Sequence, residues 1–260
     1  LNSEILRIDA LGKNFGGLAA LQGLSFSITA GQIVGLIGPN GAGKTTAFNL
    51  ISGTMPPSHG AIFFKGHSLK GLPASRAVGL GLARTFQSTS TYPSSTVYEN
   101  IYRGLLSRIA GSIVGKLVHR SDHLLSSKDV PQEIDRILAL LDLTKWRDFK
   151  AGTLAYGLQK KLGIAVALAT KPVMLLLDEP AAGLNHEECN ELARLLKRLQ
   201  QDEGLTLLLV EHHMALVMEL CERIVVLVNG QKIADGSPTD IQNNPAVIEA
   251  YLGAPDYAHA

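Results

Sequence analysis

Near its start the chain alternates apolar and polar residues. Ile5-Leu6-Arg7-Ile8-Asp9 and Leu24-Ser25-Phe26-Ser27-Ile28 have the period of two expected of half-buried strands, and their closeness predicts an antiparallel pair. Three later runs do not alternate. Ile33-Val34-Gly35-Leu36-Ile37 ends at a glycine, Val173-Met174-Leu175-Leu176-Leu177 ends in Asp178-Glu179, and Leu205-Thr206-Leu207-Leu208-Leu209-Val210 ends in Glu211-His212-His213. Apolar runs of this length with polar carboxyl ends predict parallel strands buried on both faces, with the polar ends at a ligand-binding edge. A helical period of i, i+3, i+4, i+7 links Ile134, Ile137, Leu138 and Leu141, and again Leu192, Leu195, Leu196 and Leu199. Residues 56–60 form a Pro-Pro-Ser-His-Gly turn cluster before a strand at 61–64. Residues 81–87 read as a strand ending in Gln87, and 224–228 with 231–234 as a hairpin turning at Asn229-Gly230. From 88 to about 153 strand signals fade into a helical insertion, within which the polar stretch 121–129 predicts a mobile loop. Leu154-Ala155-Tyr156-Gly157 opens a further helix.

The most specific chemistry follows the run at 33–37. Gly38-Pro39-Asn40-Gly41-Ala42-Gly43-Lys44-Thr45 fills every fixed position of the phosphate-binding pattern G-x-x-x-x-G-K-[ST], and residues 46–51, from Thr46, read as the helix after it. Glycines let main-chain N–H groups wrap a phosphate chain, and the helix adds its N-terminal partial charge. Lys44 would meet the β- and γ-phosphates and the Thr45 hydroxyl would hold Mg²⁺. A glycine-rich turn with a surface lysine is the competing reading, and the strand before and helix after disfavour it. Asp178 suits Mg²⁺ contact and Glu179 the polarising of an attacking water; alternatively Asp178-Glu179-Pro180 caps the next helix. Gln87 is a candidate for reaching a metal or a water, or an ordinary loop glutamine. His212 shares the strand edge of Lys44 and Glu179 and could meet a γ-phosphate, although paired histidines are more often surface or capping residues. Phe15, beside Gly16-Gly17, is either an exposed plate for a nucleotide base or a core residue before a turn.

Composition narrows these readings. The chain of 260 residues suffices for one large α/β domain or two small ones, and no solvated linker divides it. Hydrophobic residues make up 46%, yet no apolar run approaches the ~18 residues of a membrane span, and no export signal is expected. A net charge of +1 without a basic stripe argues against nucleic acid as a partner. Cys189 and Cys221 lack metal-ligand spacing and are expected to be free thiols in a reducing cytoplasm.

Taken in order, the pieces resemble the ATP-binding subunit of an ABC (ATP-binding cassette) transporter over nearly the whole chain. The phosphate loop matches Walker A, Thr85-Phe86-Gln87 the Q-loop and Leu154-Ala155-Tyr156-Gly157-Leu158-Gln159 the signature. Leu175-Leu176-Leu177-Asp178-Glu179 matches Walker B, Ala182-Gly183-Leu184-Asn185 the D-loop, and Val210-Glu211-His212 the switch histidine. Phe15-Gly16-Gly17-Leu18, Glu179-Pro180-Ala181-Ala182 and Ala250-Tyr251-Leu252-Gly253 look like the branched-chain amino acid uptake group. The resemblance implies a P-loop NTPase fold: one domain over 1–260 with a mainly parallel central sheet, an antiparallel β subdomain and a helical insertion at about 88–170. It implies a Mg-dependent ATP hydrolase in which Phe15 stacks on adenine, Gln87 links the metal site to the membrane partner, Glu179 is the base and His212 the γ-phosphate sensor. Ala155, Tyr156 and Gly157 would close over the ATP of an opposing subunit.

The same resemblance implies permease subunits, a second ATP-binding subunit and, indirectly, an external solute-binding protein as partners, with the chain peripheral on the cytoplasmic membrane face. Two departures stand out. Most cassettes carry serine and glutamine where Ala155 and Leu158 stand, and a more usual acid and arginine are replaced by Gly163 and Val166. A weaker closure by this chain's signature is therefore expected, and pairing with a different ATP-binding subunit. Competing functions are a lipid or lipopolysaccharide exporter and a non-transport switch built from cassettes. The latter usually has two cassettes per chain or a long coiled coil, and neither is present. An Asn-Lys-x-Asp element for guanine is also missing.

Overall fold

In the central strands, successive residues serve two different cores, because side chains on a strand alternate between its faces. In β3 (Ile33–Ile37), Ile33 and Ile37 join one core while Val34 and Leu36 join the other. In β7 (Met174–Asp178), Leu175 and Leu177 part from Met174 and Leu176 in the same way, and in β8 (Thr206–Val210) Leu207 and Leu209 part from Leu208 and Val210. This two-sided burial explains the unbroken apolar runs. The structure, a computed structural model, describes residues 3–85, 91–113 and 129–252.

These strands belong to a sheet of order β10-β9-β3-β8-β7-β6. Its other members are β6 (Leu82–Arg84), β9 (Arg223–Val228) and β10 (Gln231–Gly236). The pairings β9/β3, β3/β8, β8/β7 and β7/β6 are parallel, and β10 alone runs antiparallel. A second sheet, β2-β1-β4-β5, is antiparallel. It consists of β1 (Glu4–Phe15), β2 (Leu18–Thr29), β4 (His59–Phe64) and the short β5 (His67–Ser68). Between the two sheets lies the core that includes Leu6, Ile8, Leu24, Ile28 and Phe64, closed by Phe48 and Leu50 of α1 (Lys44–Ile51). The α/β class with a mainly parallel sheet and a separate antiparallel one is as expected.

The other face of the central sheet is covered by helices. Val97, Ile101 and Leu105 of α3 (Val97–Ile113) and Ile134, Ile137 and Leu138 of α4 (Asp129–Leu140) are buried there. So are Leu162 and Ile164 of α5 (Tyr156–Leu168), Leu192, Leu195, Leu196 and Leu199 of α6 (His186–Glu203), and Leu216 and Val217 of α7 (Met214–Leu220). α2 (Ala74–Leu80) precedes β6, and α8 (Pro238–Gln242) and α9 (Pro245–Leu252) follow β10. α6 shows why such a stretch is helical. Asn185 accepts from the Glu188 N–H at 3.0 Å while Glu188 Oε2 accepts from the Asn185 N–H at 2.9 Å, a reciprocal cap that satisfies two otherwise unpaired donors. Its leucine stripe is buried, and the helix stops at Gly204, which takes φ +64°. Each such leucine contributes about 1.5–3 kcal/mol by burial, so Leu196→Ala would cost about 2–5 kcal/mol.

Several boundaries differ from the sequence expectation. α1 begins at Lys44, two residues earlier than predicted, since Gly43 in left-handed conformation (φ +99°) already turns the chain into the helix. β4 takes in His59 and Gly60, assigned above to a turn, because pairing with β1 extends to His59 opposite Gly12. Asp129 opens α4 rather than ending a loop. Pro131 falls in the first turn, where its missing N–H would have had no partner in any case. The rest of that loop, 121–128, and Gln87 lie outside the described residues. Among the described residues no helix is long and apolar enough to cross a membrane.

Candidate functional site: a phosphate-loop cavity

The carboxyl ends of β3, β7 and β8 lie side by side on one edge of the sheet, and each delivers part of the candidate site. From β3 the chain passes into the phosphate loop, which is fixed by steric limits on three sides. A Cβ on Gly38 would lie 2.1 Å from the Leu227 carbonyl oxygen, and one on Gly43 2.7 Å from that of Ala20. Gly230, at the turn between β9 and β10, would place a Cβ 2.8 Å from the same Ala20 oxygen. Real Cβ atoms do not approach so closely, so these glycines let the loop, β2 and the β9–β10 turn pack against one another. The Gly230 N–H donates to the Ala42 carbonyl at 3.0 Å and the Gln22 N–H to the Gly230 carbonyl at 2.8 Å, tying the three segments together. Gly41, at φ +77°, has open space about it and takes the role foreseen for all three loop glycines, backbone free to face a ligand.

A cavity of about 510 Å³ opens over this loop. Asn40, Gly41, Ala42, Gly43, Lys44, Thr45 and Thr46 line it, with Glu179 from the end of β7 on one side. The opposite wall is Leu18, Ala19, Ala20 and Gln22 of β2 with Asn229 and Gly230, none of which the sequence had marked as a site residue. Their position depends on the tertiary contact between loop, β2 and turn, and no local pattern carries it. Lys44 is buried, and its ammonium donates to the carbonyls of Gly38 at 2.6 Å and Pro39 at 2.9 Å. Burial pushes its pKa below the usual lysine value, with the Glu179 carboxylate acting the other way.

Glu179 takes φ +45°, a left-handed conformation rare for a residue with a side chain, and its N–H donates to the Val210 carbonyl at 2.9 Å. The expected alternative, that Asp178-Glu179-Pro180 caps the next helix, does not hold, because Asn185 caps α6. His212 Nδ1 lies 3.9 Å from Glu179 Oε1 and the ring is well exposed, so the histidine stands beside the candidate base without lining the cavity. The neighbouring His213 is a capping residue: its Nδ1 accepts from the Leu216 N–H at 3.3 Å at the start of α7. Between them and β7 lies Glu211, fully buried. Its Oε1 accepts from the Ala181 N–H at 2.7 Å, and its Oε2 from those of His212 and His213 at 3.0 and 3.2 Å. It thereby holds the segment after Glu179 to the one that carries His212.

Asp178 is 6% exposed, and its Oδ2 accepts from Arg84 Nη2 at 2.8 Å. Phe15 is 47% exposed at the tip of the β1–β2 hairpin, opposite Leu18, which lines the cavity. The core alternative for Phe15 is therefore excluded. Ala155, Tyr156 and Gly157 do not line the phosphate-loop cavity. Ala155 precedes α5 without a side-chain cap, and with Gly157 it lines a separate recess of about 200 Å³ against α6. A Cβ on Gly157 would lie 2.9 Å from Glu188 Oε1, the outer end of a side chain at the start of α6. Cys189 and Cys221 are buried free thiols, both with pKa raised, first by burial.

The family model described as ABC transporter matches residues 21–182, and that described as branched-chain amino acid ATP-binding cassette transporter matches 231–257. The chain is 38% identical over 253 residues to the high-affinity branched-chain amino acid transport ATP-binding protein BraF of Pseudomonas aeruginosa, covering 97% of this chain and 99% of that one. It is 37% identical over 253 residues to the corresponding Escherichia coli protein, LivG, with the same coverage. Among solved structures it resembles the ADP conformation of an ATP-binding cassette of an ABC transporter, with TM-score 0.84 and 30% identity over 96% of this chain and 99% of the other.

Proposed function

We propose, because this chain belongs to the ABC transporter family as an ATP-binding cassette, an ATPase coupled to transport, that it drives the import of branched-chain or related amino acids. The single observation that carries the ATPase chemistry is the cavity in which Lys44, Thr45 and Glu179 converge on the phosphate loop. The substrate class is supported by the match of residues 231–257 and by the names of the relatives.

In this reading the loop N–H groups and Lys44 bind the phosphate chain, and Glu179 accepts a proton from the attacking water. His212 steadies the γ-phosphate end beside Glu179, and Phe15 stacks on the base beyond Leu18. The donors present fit Mg²⁺: the Thr45 hydroxyl and Asp178 carboxylate are hard oxygens, and this ion takes the remainder of its shell from phosphates and water. When bound, it would offset the charge developing on the phosphates. Gln87 is proposed as a further metal contact from the resemblance alone. The chain is read as one domain over 1–260 with a helical insertion at about 88–170. It would sit peripherally on the cytoplasmic membrane face, with the helical insertion between Gln87 and Ala155 docking on a permease through the side of α3 that exposes Glu99 and not through buried Val97 and Ile101.

Because Ala155, Tyr156 and Gly157 lie outside the phosphate-loop cavity, they would act on the nucleotide of an opposing subunit. With Ala155 and Leu158 in place of serine and glutamine, the favoured opposing subunit is a different cassette whose signature supplies the hydroxyl. The experiment is reconstitution in lipid with a candidate permease pair and solute-binding protein, measuring ATP-driven leucine uptake with this chain alone and with the second cassette. Uptake that requires both cassettes supports the full reading. Equal uptake by the homomeric assembly overturns the pairing, and ATP turnover without amino acid uptake overturns the substrate class.

A further inference from the structure

Arg84, the last residue of β6, donates from Nη2 to Asp178 Oδ2 at 2.8 Å. From Nη1 it donates to Asn49 Oδ1 at 2.7 Å, Ser52 Oγ at 3.0 Å and Thr54 Oγ1 at 3.4 Å. Its guanidinium carbon stands 4.7 Å from the centre of the Phe48 ring. Both members of the ion pair are shielded, Arg84 at 12% and Asp178 at 6% side-chain exposure. Phe48 and Asn49 belong to α1, so one side chain joins the helix of the phosphate loop to the carboxyl end of β7. Arg84 also stands three residues before Gln87 in the chain.

We propose that Arg84 is a positioning residue of the metal site: it is the resident counter-cation of Asp178, ties that carboxylate to α1, and by its charge weakens the hold of the site on a divalent ion. The inference rests on Asp178 as the metal-holding acid. A buried carboxylate needs a compensating charge, and Arg84 supplies one that remains in place. A divalent ion at the same carboxylate is then repelled by a guanidinium only one hydrogen bond away, in surroundings too dry to screen it fully. The fork geometry adds a second effect. Polar acceptors on β7, on α1 and in the turn just after α1 fix the guanidinium, so Asp178 is held in one orientation against α1.

The test uses the full-length protein with a fluorescent ATP analogue and Mg²⁺ titration. Arg84→Gln should lower the melting temperature without nucleotide, tighten the Mg²⁺ half-saturation of nucleotide binding by roughly tenfold, and leave binding in EDTA nearly unchanged. Arg84→Lys, which keeps the charge and loses the fork, should return Mg²⁺ half-saturation to the parent value while restoring only part of the stability. If Arg84→Gln does not fold, Asn49→Asp neutralises the guanidinium in place and should tighten Mg²⁺ in the same direction. A tether without influence on the metal would lower stability in these variants and leave half-saturation where it was, which overturns the proposal. Asp178→Asn separates the two claims. If it leaves the Mg²⁺ dependence unaltered, Asp178 is not the metal-holding acid; if it alters that dependence while Arg84→Gln does not, only the role of Arg84 fails.

Discussion

The Lys44 ammonium donates to the Gly38 carbonyl at 2.6 Å, across the mouth of the loop in which both residues lie. Binding a phosphate chain requires it to exchange carbonyl acceptors for charged phosphate oxygens. Hydrogen bonds to charged groups are worth about 1.5–3 kcal/mol, so Lys44→Met should weaken ATP binding roughly 10- to 100-fold. The same side chain gives a pH signature. Burial lowers its pKa below 10.5, so the folded chain holds fewer protons than the unfolded chain in the window just under that value. Its contribution is unfavourable below the window and fades as pH rises through it. Melting curves approaching pH 10.5 should show the parent gaining stability relative to Lys44→Met. An equal pH slope in the two proteins would remove the burial effect.

Phe15 projects from the β1–β2 tip, opposite Leu18, which lines the cavity. Phe15→Ala should therefore weaken ATP and GTP binding alike, by about 1–3 kcal/mol, since stacking recognises a π-face. Calorimetry with both nucleotides checks this; unchanged affinity would leave the residue outside the site.

Gly230 joins the Ala42 carbonyl of the phosphate loop to β2 from the β9–β10 turn. At φ +76°, with a Cβ 2.8 Å from the Ala20 oxygen, Gly230→Ala is strained twice. The expected loss is about 1–3 kcal/mol of stability, together with weaker nucleotide binding, although position 230 is 186 residues from Lys44 in the sequence. Denaturant unfolding and calorimetry measure the two; a loss of stability with intact nucleotide affinity would show that the turn does not shape the loop.

The layout of the fold was legible where burial has a simple period. Ile33, Leu175 and Leu207 stand in unbroken apolar runs because their strands meet a core on each face, and Leu192 to Leu199 form a one-sided stripe because their helix meets one core. The phosphate loop was legible as a motif, yet the reason for Gly38 and Gly43 was only half so: their side-chain space is taken by the carbonyls of Leu227 and Ala20, which belong to other strands. Phe15 could not be assigned from its neighbours, since an aromatic before Gly-Gly suits both a core and a hairpin tip. Arg84 and Glu211 were missed for a related reason. A buried charge is explained by the partners that satisfy it; Asn49 and Asp178 for Arg84, and Ala181 for Glu211 in addition to its neighbours His212 and His213, lie 30 or more residues away.

The most direct test of the account is phosphate release from Mg-ATP by Glu179→Gln, measured with nucleotide affinity on the same preparation. Glutamine keeps the shape of the side chain, so the strained backbone at 179 and the cavity wall are preserved while the proton acceptor is removed. The account predicts parental ATP affinity with turnover lowered by about 10²–10⁴-fold. Turnover within about twofold of the parent at equal affinity would contradict it, because Glu179 would then be a wall of the nucleotide site and not its base.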